Sequence, residues 1–168
     1  MKCLCFSDSH GSVYYMKRAL ALHPDCEVVF FLGDGLSDIE PLIKTTPGIA
    51  WLAVRGNCDH TSHISAGEVR KLERITLEGV RIAYTHGDLY GVKYGCGGLL
   101  KLADDEGCDV VLFGHTHEPT EQYKTTPKGR GVYLFNPGSI GMSFRGGASY
   151  GVMLLREGQV LLSHGELN

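Results

Sequence analysis

Five short apolar runs in this chain end in the same way, each passing into a glycine-bearing cluster of aspartate, asparagine or histidine. KCLCF at 2–6 is followed by SDSHG, VVFFL at 28–32 by GDG, IAWLAV at 49–54 by RGNCD, VRIAYT at 80–85 by HGD, and DVVLF at 109–113 by GHTH. Continuous apolar runs of this length are strands buried on both faces, as in sheets whose faces are covered. Ligands of open α/β sheets collect beyond the carboxyl ends of the strands, so five clusters distant in sequence are placed to meet in one crevice. An α/β architecture with a polar site at one end of its strands follows.

The intervening segments supply helices and further strands. SVYYMKRALAL at 12–22 carries Val13, Met16, Ala19 and Leu20 on one face, with Ser12 as the expected cap. LSDIEPLIK at 36–44 is expected to be helical with a break at Pro41, and GGLLKLADDEG at 97–107 to be a helix stopped by Gly107. LERITLEGVRIAYTHG at 72–87 reads as a hairpin turning at Glu78-Gly79, and YGVMLLREGQVLLSH at 150–164 as another turning at Glu157-Gly158. Together with TEQYK and GVYLF, joined by a turn at Pro127-Lys128-Gly129, these imply a second sheet with antiparallel character. No repeat, low-complexity tract or linker interrupts the chain, so one domain over residues 1–168 is expected.

Charge and composition narrow the class of function. A formal charge of -3 without a run of Lys or Arg gives no electrostatic basis for a stable nucleic-acid complex or for binding an acidic membrane, so small substrates are expected. The apolar run after Met1 is too short for a signal-peptide core and no run reaches the length of a membrane span, which implies a cytoplasmic protein. In that compartment the six cysteines are expected to be free thiols. Cys3 and Cys5 have a spacing that would suit a soft metal, but without a second pair they read as buried, inert thiols.

The clusters offer seven donors: Asp8, His10, Asp34, Asn57, His86, His115 and His117. In an extended backbone residues i and i+2 point the same way, so His115 and His117 can converge on one object. Any one cluster is also explained by helix caps, turn residues or a hydrogen-bonded histidine. That alternative leaves unexplained why all the donors sit at strand ends. Mixed imidazole and carboxylate donors suit first-row divalent ions, and a shared carboxylate can hold two of them roughly 3.5–4 Å apart.

The ordered motifs D-x-H at Asp8 to His10, G-D at Gly33-Asp34, G-N-x-D at Gly56 to Asp59, H-G at His86-Gly87 and G-H-T-H at Gly114 to His117 resemble those of the calcineurin-like metallophosphoesterases. NPGSI at 136–140 is similar to the closing segment of the small YfcE-like phosphodiesterases within that family. The resemblance covers the whole chain and implies two packed mixed β-sheets flanked by helices, a four-layer αββα sandwich. It implies two divalent ions, manganese first, with iron, zinc or nickel as alternatives. One ion would take Asp8, His10, Asp34 and His117, and the other Asp34, Asn57, His86 and His115, with Asp34 as the bridge. The implied reaction is hydrolysis of a small phosphodiester or phosphomonoester by a metal-bridging hydroxide attacking phosphorus in line. A non-catalytic scaffold on the same fold and a nuclease are the alternatives, and a homo-oligomer is left open.

Asn57, Cys58 and Asp59 are the candidate catalytic residues of the GNCD cluster. Cys58 stands where many relatives have a histidine that protonates the leaving group, and no Cys-x5-Arg phosphate loop surrounds it, so the general acid is missing. Asp88 stands where the subgroup often has a further histidine. His60 and His63 are candidates to replace the proton donor, against the alternative of a flexible loop in TSHISAG. Arg55 and Arg145 are the candidate substrate-phosphate residues, with solvated surface arginines as the alternative. Tyr14, Tyr15 and Phe144 are weighed between pocket lining and core packing, and His23 and His164 are expected at the surface.

Overall fold

The computed structural model describes residues 1–65, 67–141 and 147–168. Arg145 and Phe144 lie outside the described residues. Along the chain the elements are β1 (Lys2–Phe6), α1 (Tyr14–Leu22), β2 (Val28–Phe31), α2 (Leu36–Thr45), β3 (Ala50–Ala53), β4 (His63–Ile64), β5 (Gly67–Glu68), β6 (Leu72–Leu77) and β7 (Val80–Thr85). A 3₁₀ turn at Asp88–Tyr90 then leads to α3 (Gly97–Glu106), β8 (Val110–Leu112), β9 (Thr120–Thr125), β10 (Gly131–Asn136), β11 (Ala148–Arg156) and β12 (Gln159–Leu167).

Two five-stranded mixed sheets form, in the orders β12-β11-β1-β2-β3 and β6-β7-β8-β10-β9. β1, β2 and β3 are parallel, as are β7, β8 and β10. The antiparallel hairpins lie at the sheet edges. The second sheet is therefore mixed, with a parallel centre that the hairpin-rich sequence hides.

Three apolar layers hold these pieces. Cys3, Cys5, Phe30, Ile82, Val110, Phe135 and Met153 interdigitate between the sheets. Leu4, Phe6, Val29 and Phe31, on the other face of the first sheet, pack against Met16 and Ala19 of α1 and Leu36, Ile39 and Leu42 of α2. Leu99, Leu102 and Ala103 of α3 cover Ala83, Val111 and Leu134 of the second sheet. The four-layer αββα sandwich is thus present, because the central strands present apolar side chains on both faces.

Both hairpin turns form where the sequence placed them, with Glu78-Gly79 at φ 49° and 82° and Glu157-Gly158 at 49° and 80°. Positive φ at both central residues is the turn whose twist matches paired strands. The two tips meet, Gly158 N–H donating to the Glu78 carbonyl at 2.6 Å, and so close the end of the sandwich away from the polar clusters.

Several local expectations are corrected. Ser12 does not cap α1: its N–H bonds to the Ser9 carbonyl, and Val13 precedes the helix without a side-chain cap. α2 runs unbroken through Pro41, which costs one hydrogen bond in a helix whose other face buries Leu36, Ile39 and Leu42. The segment around His63 is a two-stranded ribbon of β4 and β5 rather than an open loop. His23 and His164 are half-buried: His23 bonds the Tyr150 hydroxyl at 3.0 Å, and His164 stacks on Phe135 and bonds the Asn136 carbonyl at 2.8 Å. Tyr15, in the first turn of α1, packs against the core, whereas Tyr14 beside it is exposed.

Candidate metal centre

The parallel strands carry their backbone pairing past their own ends. Leu32 N–H bonds the Phe6 carbonyl at 2.8 Å, Asp8 N–H the Gly33 carbonyl at 2.9 Å and His10 N–H the Asp34 carbonyl at 3.2 Å. In the second sheet Gly114 N–H reaches the His86 carbonyl at 3.0 Å. The loops then touch so closely that two motif glycines have no room for a side chain. A Cβ on Gly56 would stand 2.0 Å from Asp34 Oδ1, and one on Gly114 1.9 Å from Ser7 Oγ.

Around this contact the donors converge. Asp8 is fully buried; its Oδ2 accepts from Ser7 Oγ at 2.6 Å and from His115 N–H at 3.1 Å. Its Oδ1 has no hydrogen-bond partner, although His117 Nε2 lies 3.1 Å away, His10 Nε2 3.9 Å and His86 Nε2 4.0 Å. His86 Nδ1 is 2.7 Å from the Leu32 carbonyl, which fixes the proton there and turns Nε2 inward. That Nε2 meets Asn57 Oδ1 at 3.1 Å, His115 Nδ1 at 3.2 Å and Asp34 Oδ2 at 3.4 Å. Two buried carboxylates, an amide oxygen and several imidazole nitrogens crowded at 3.1–4.0 Å are a donor set that a cation satisfies, so these side chains fit divalent metal ions.

Three overlapping donor groups each bring their ligand atoms within 4.8 Å of one another: Asp8, His10 and His117; His10, Asp34 and Cys58; and Asp34, His86 and His115. Asp34 belongs to two of them. Its Oδ1 accepts Cys58 N–H at 2.8 Å.

The electrostatics follow from the contacts. Burial works against the charged ring of His86, but the hydrogen bond to Asp34 and the charges of Asp8 and Asp34 outweigh it and raise its pKa. For Asp34 burial works the other way and is overcome by His86, so the carboxyl is held well below its usual range. Contact with Asp8 raises His117, while burial, then His86 and Lys93, lower His115. The Cys58 thiol, hydrogen-bonded to Asp34 and partly desolvated, is pushed up to about 11.

The backbone is strained where the donors are. Among the described residues seven non-glycine residues have positive φ, and five are Asp8, His10, Asp34, His115 and His117, at 45° to 69°. The left-handed region costs an L-residue roughly 1–2 kcal/mol, and such strain clusters at functional sites. His10 is partly exposed, so its truncation loses little packing. In the metal-free protein His10→Gly is expected to be more stable than His10→Ala by about 1 kcal/mol, measured by urea unfolding in chelator. Equal stability of the two variants would remove the strain argument.

Not every candidate points into the cluster. Asp59, expected to be catalytic, has its carboxylate turned to the backbone: Oδ1 accepts from the N–H groups of Gly35 and Leu36 and Oδ2 from those of Asp34 and Gly56, at 2.8–2.9 Å. With four amide donors it holds the turn that carries Asp34. Cys58 is exposed, with Sγ 3.2 Å from Asn57 Nδ2. A cavity of about 410 Å³ beside the cluster is lined by His10, Asp34, Asp38, Cys58 and His60. His63 instead pairs in the ribbon with its ring against Ser62 Oγ. Arg55 N–H bonds the Arg70 carbonyl, and its Nε is buried without a partner. Asp88 pairs with Lys71 Nζ at 2.7 Å.

Other supporting residues were not singled out by sequence. Asn136 Nδ2 donates to the Gly114 carbonyl at 2.9 Å and to Thr116 Oγ1 at 3.0 Å, holding the loop of His115 and His117. Ser139 Oγ donates to the Asp8 carbonyl at 2.8 Å. Lys93, exposed ahead of α3, adds a positive charge felt by both His115 and His117. The NPGSI segment was the available signal for the first two, and the lysine after HGDLYGV for the third.

Residues 1–158 match the family model of the calcineurin-like phosphoesterase superfamily domain. The chain is 31% identical over 156 residues to the probable metallophosphoesterase YsnB of Bacillus subtilis, covering 92% of this chain and 85% of that protein. It is 29% identical over 180 residues to the phosphodiesterase YfcE of Escherichia coli, covering 91% and 87%. Its fold is similar to that of Vacuolar Protein Sorting 29 from Cryptosporidium parvum, with a TM-score of 0.76 over 99% of this chain and 97% of the other at 18% identity.

Proposed function

We propose that this chain, which belongs to the calcineurin-like phosphoesterase superfamily, is a dinuclear metal-dependent phosphoesterase acting on small phosphodiesters or phosphomonoesters. The observation that carries the reading is the convergence of the donors around the buried carboxylates of Asp8 and Asp34. Asp8, His10, Asp34 and His117 would hold one ion, and Asp34, Asn57, His86 and His115 the other. Bound there, divalent ions supply Lewis-acid neutralisation of phosphoryl charge and a water acidic enough to ionise near neutral pH.

The chain's own part is orientation. Asp59 fixes the turn carrying Asp34, the Leu32 carbonyl fixes the His86 tautomer, and Asn136 fixes the loop of His115 and His117. Arg55, close in sequence to Asn57, is the candidate to clamp a substrate phosphate. A cavity of about 410 Å³ beside the donors is of small-molecule size. Among the described residues no helix is long and apolar enough to cross a membrane.

Protein stripped of metal, with removal verified, is expected to be inactive on bis-p-nitrophenyl phosphate and to regain activity with a divalent ion, manganese being the first to test. Full activity after verified removal would sink the metal mechanism. Metal binding without hydrolysis of any ester in a panel of diesters and monoesters would favour a scaffold. Activity on small esters that is insensitive to salt separates the proposal from a nuclease.

A further inference from the structure

Cys58 is placed differently from the other thiols. Cys3, Cys5, Cys26 and Cys108 are buried in the sandwich and Cys96 is half-buried near α3, whereas Cys58 is exposed at the rim of the donor cluster. Its Sγ lies with a ring nitrogen of His10 and a carboxylate oxygen of Asp34 in a group whose atoms are all within 4.8 Å of one another. Donors on one tetrahedral ion, at bond lengths of about 2.3 Å for sulfur and 2.0–2.2 Å for nitrogen or oxygen, stand about 3.3–3.7 Å apart. The three atoms are therefore at most about an ångström outside that spacing. The Cys58 backbone is pinned, since its N–H donates to Asp34 Oδ1 at 2.8 Å. His10 and Cys58 both face solvent, where a side-chain rotation can close the remainder.

We propose that Cys58 is a thiolate ligand for thiophilic divalent ions, held together with His10 and Asp34 on the solvent-facing side of the cluster. Binding breaks the Sγ–H bond and forms a sulfur–metal bond, and the proton leaves to solvent, with no change of oxidation state. Soft thiolate favours zinc- or cadmium-like ions, whereas manganese is served by imidazole and carboxylate and leaves the thiol intact. The inference rests on the metal-centre reading above, because His10 and Asp34 serve in both arrangements. A thiophilic ion draws both residues toward the rim, so the site responds to metal identity: hard ions load the phosphoesterase arrangement and soft ions the thiolate one.

Cobalt(II) titration of the metal-free full chain tests this by absorbance. Its ligand-field bands report binding to any of the donors, and a sulfur-to-cobalt charge-transfer band reports the thiolate. Wild type and Cys96→Ser are expected to show both, and Cys58→Ser the ligand-field bands alone. Cadmium affinity is expected to fall by about tenfold or more in Cys58→Ser, at least the loss seen when a group merely supporting a ligand is removed. Cobalt binding without a charge-transfer band in wild type, or a band that persists in Cys58→Ser, overturns the thiolate ligand while leaving the metal centre standing. Absence of ligand-field bands in all three proteins overturns both.

Discussion

Asp34→Asn is expected to lower phosphoesterase activity by about 10³-fold, the upper end of what removal of one preorganised electrostatic group costs, and to empty both metal positions. Asp34 is the donor common to the group with His86 and His115 and the group with His10 and Cys58, and its two oxygens face different neighbours. Asparagine keeps the shape and the acceptor that receives Cys58 N–H, but not the charge that two cations would share. In the metal-free protein burial is overcome by the contact with His86, which holds the Asp34 carboxyl well below its usual range, so its charge stabilises the fold above that range and asparagine removes this contribution. The metal-free variant is expected to lose that stability, so its folding is checked by urea unfolding before a loss of activity is assigned to the metal positions. His10→Ala is the contrast, since His10 groups with Asp8 and His117 and with Asp34 and Cys58, but not with the group of His86 and His115. It is expected to empty chiefly one position. Metal per chain, measured after gel filtration beside the activity, decides the matter, and two tightly bound ions in Asp34→Asn would show that the bridge is misplaced.

What the sequence made legible is what depends on local order along the chain. Apolar runs ending in Gly-Asp, Gly-Asn or Gly-His declare a strand, a turn and a donor in one stretch, and parallel pairing brings the ends of β1, β2 and β3 side by side. Residues whose role depends on a backbone direction were not legible. Asp59 reads as one more acidic side chain beside Asn57, and only the turn at Gly33–Leu36 shows that amide N–H groups aim at it. Asn136 and Ser139 look like members of a loop because the carbonyls they bond belong to strand ends far away in sequence. His164 looks like a surface residue until Phe135 is found beneath its ring. Pro41 announces a break by local rule, yet burial of Leu36, Ile39 and Leu42 outweighs one missing hydrogen bond.

The identity of residue 58 leads to a second large effect, on which leaving groups the enzyme can expel. A thiol, with a reference pKa of about 8.5, is a poor geometric and acid-base substitute for a positioned imidazolium near 6.5. General acid catalysis is worth about 10² to 10⁴ in rate and matters most when the departing oxygen is basic. Manganese-loaded wild type is therefore expected to prefer aryl to alkyl diesters by about that factor, with a steep dependence of kcat/KM on leaving-group pKa. Cys58→Ala should barely slow p-nitrophenyl ester hydrolysis. Because residue 58 is exposed at the cavity rim, an imidazole has room there. Cys58→His is expected to raise kcat/KM for alkyl diesters by a larger factor than for nitrophenyl ones, flattening the dependence. His60 lines the same cavity and is the other side chain able to give a proton there, so His60→Ala belongs in the series. The dependence is measured over a set of leaving groups in wild type and the three variants, with metal content checked in each. A shallow wild-type slope that steepens in Cys58→Ala would assign the proton to the thiol, and one that steepens in His60→Ala would assign it to that imidazole. Either result would overturn the account of unassisted departure.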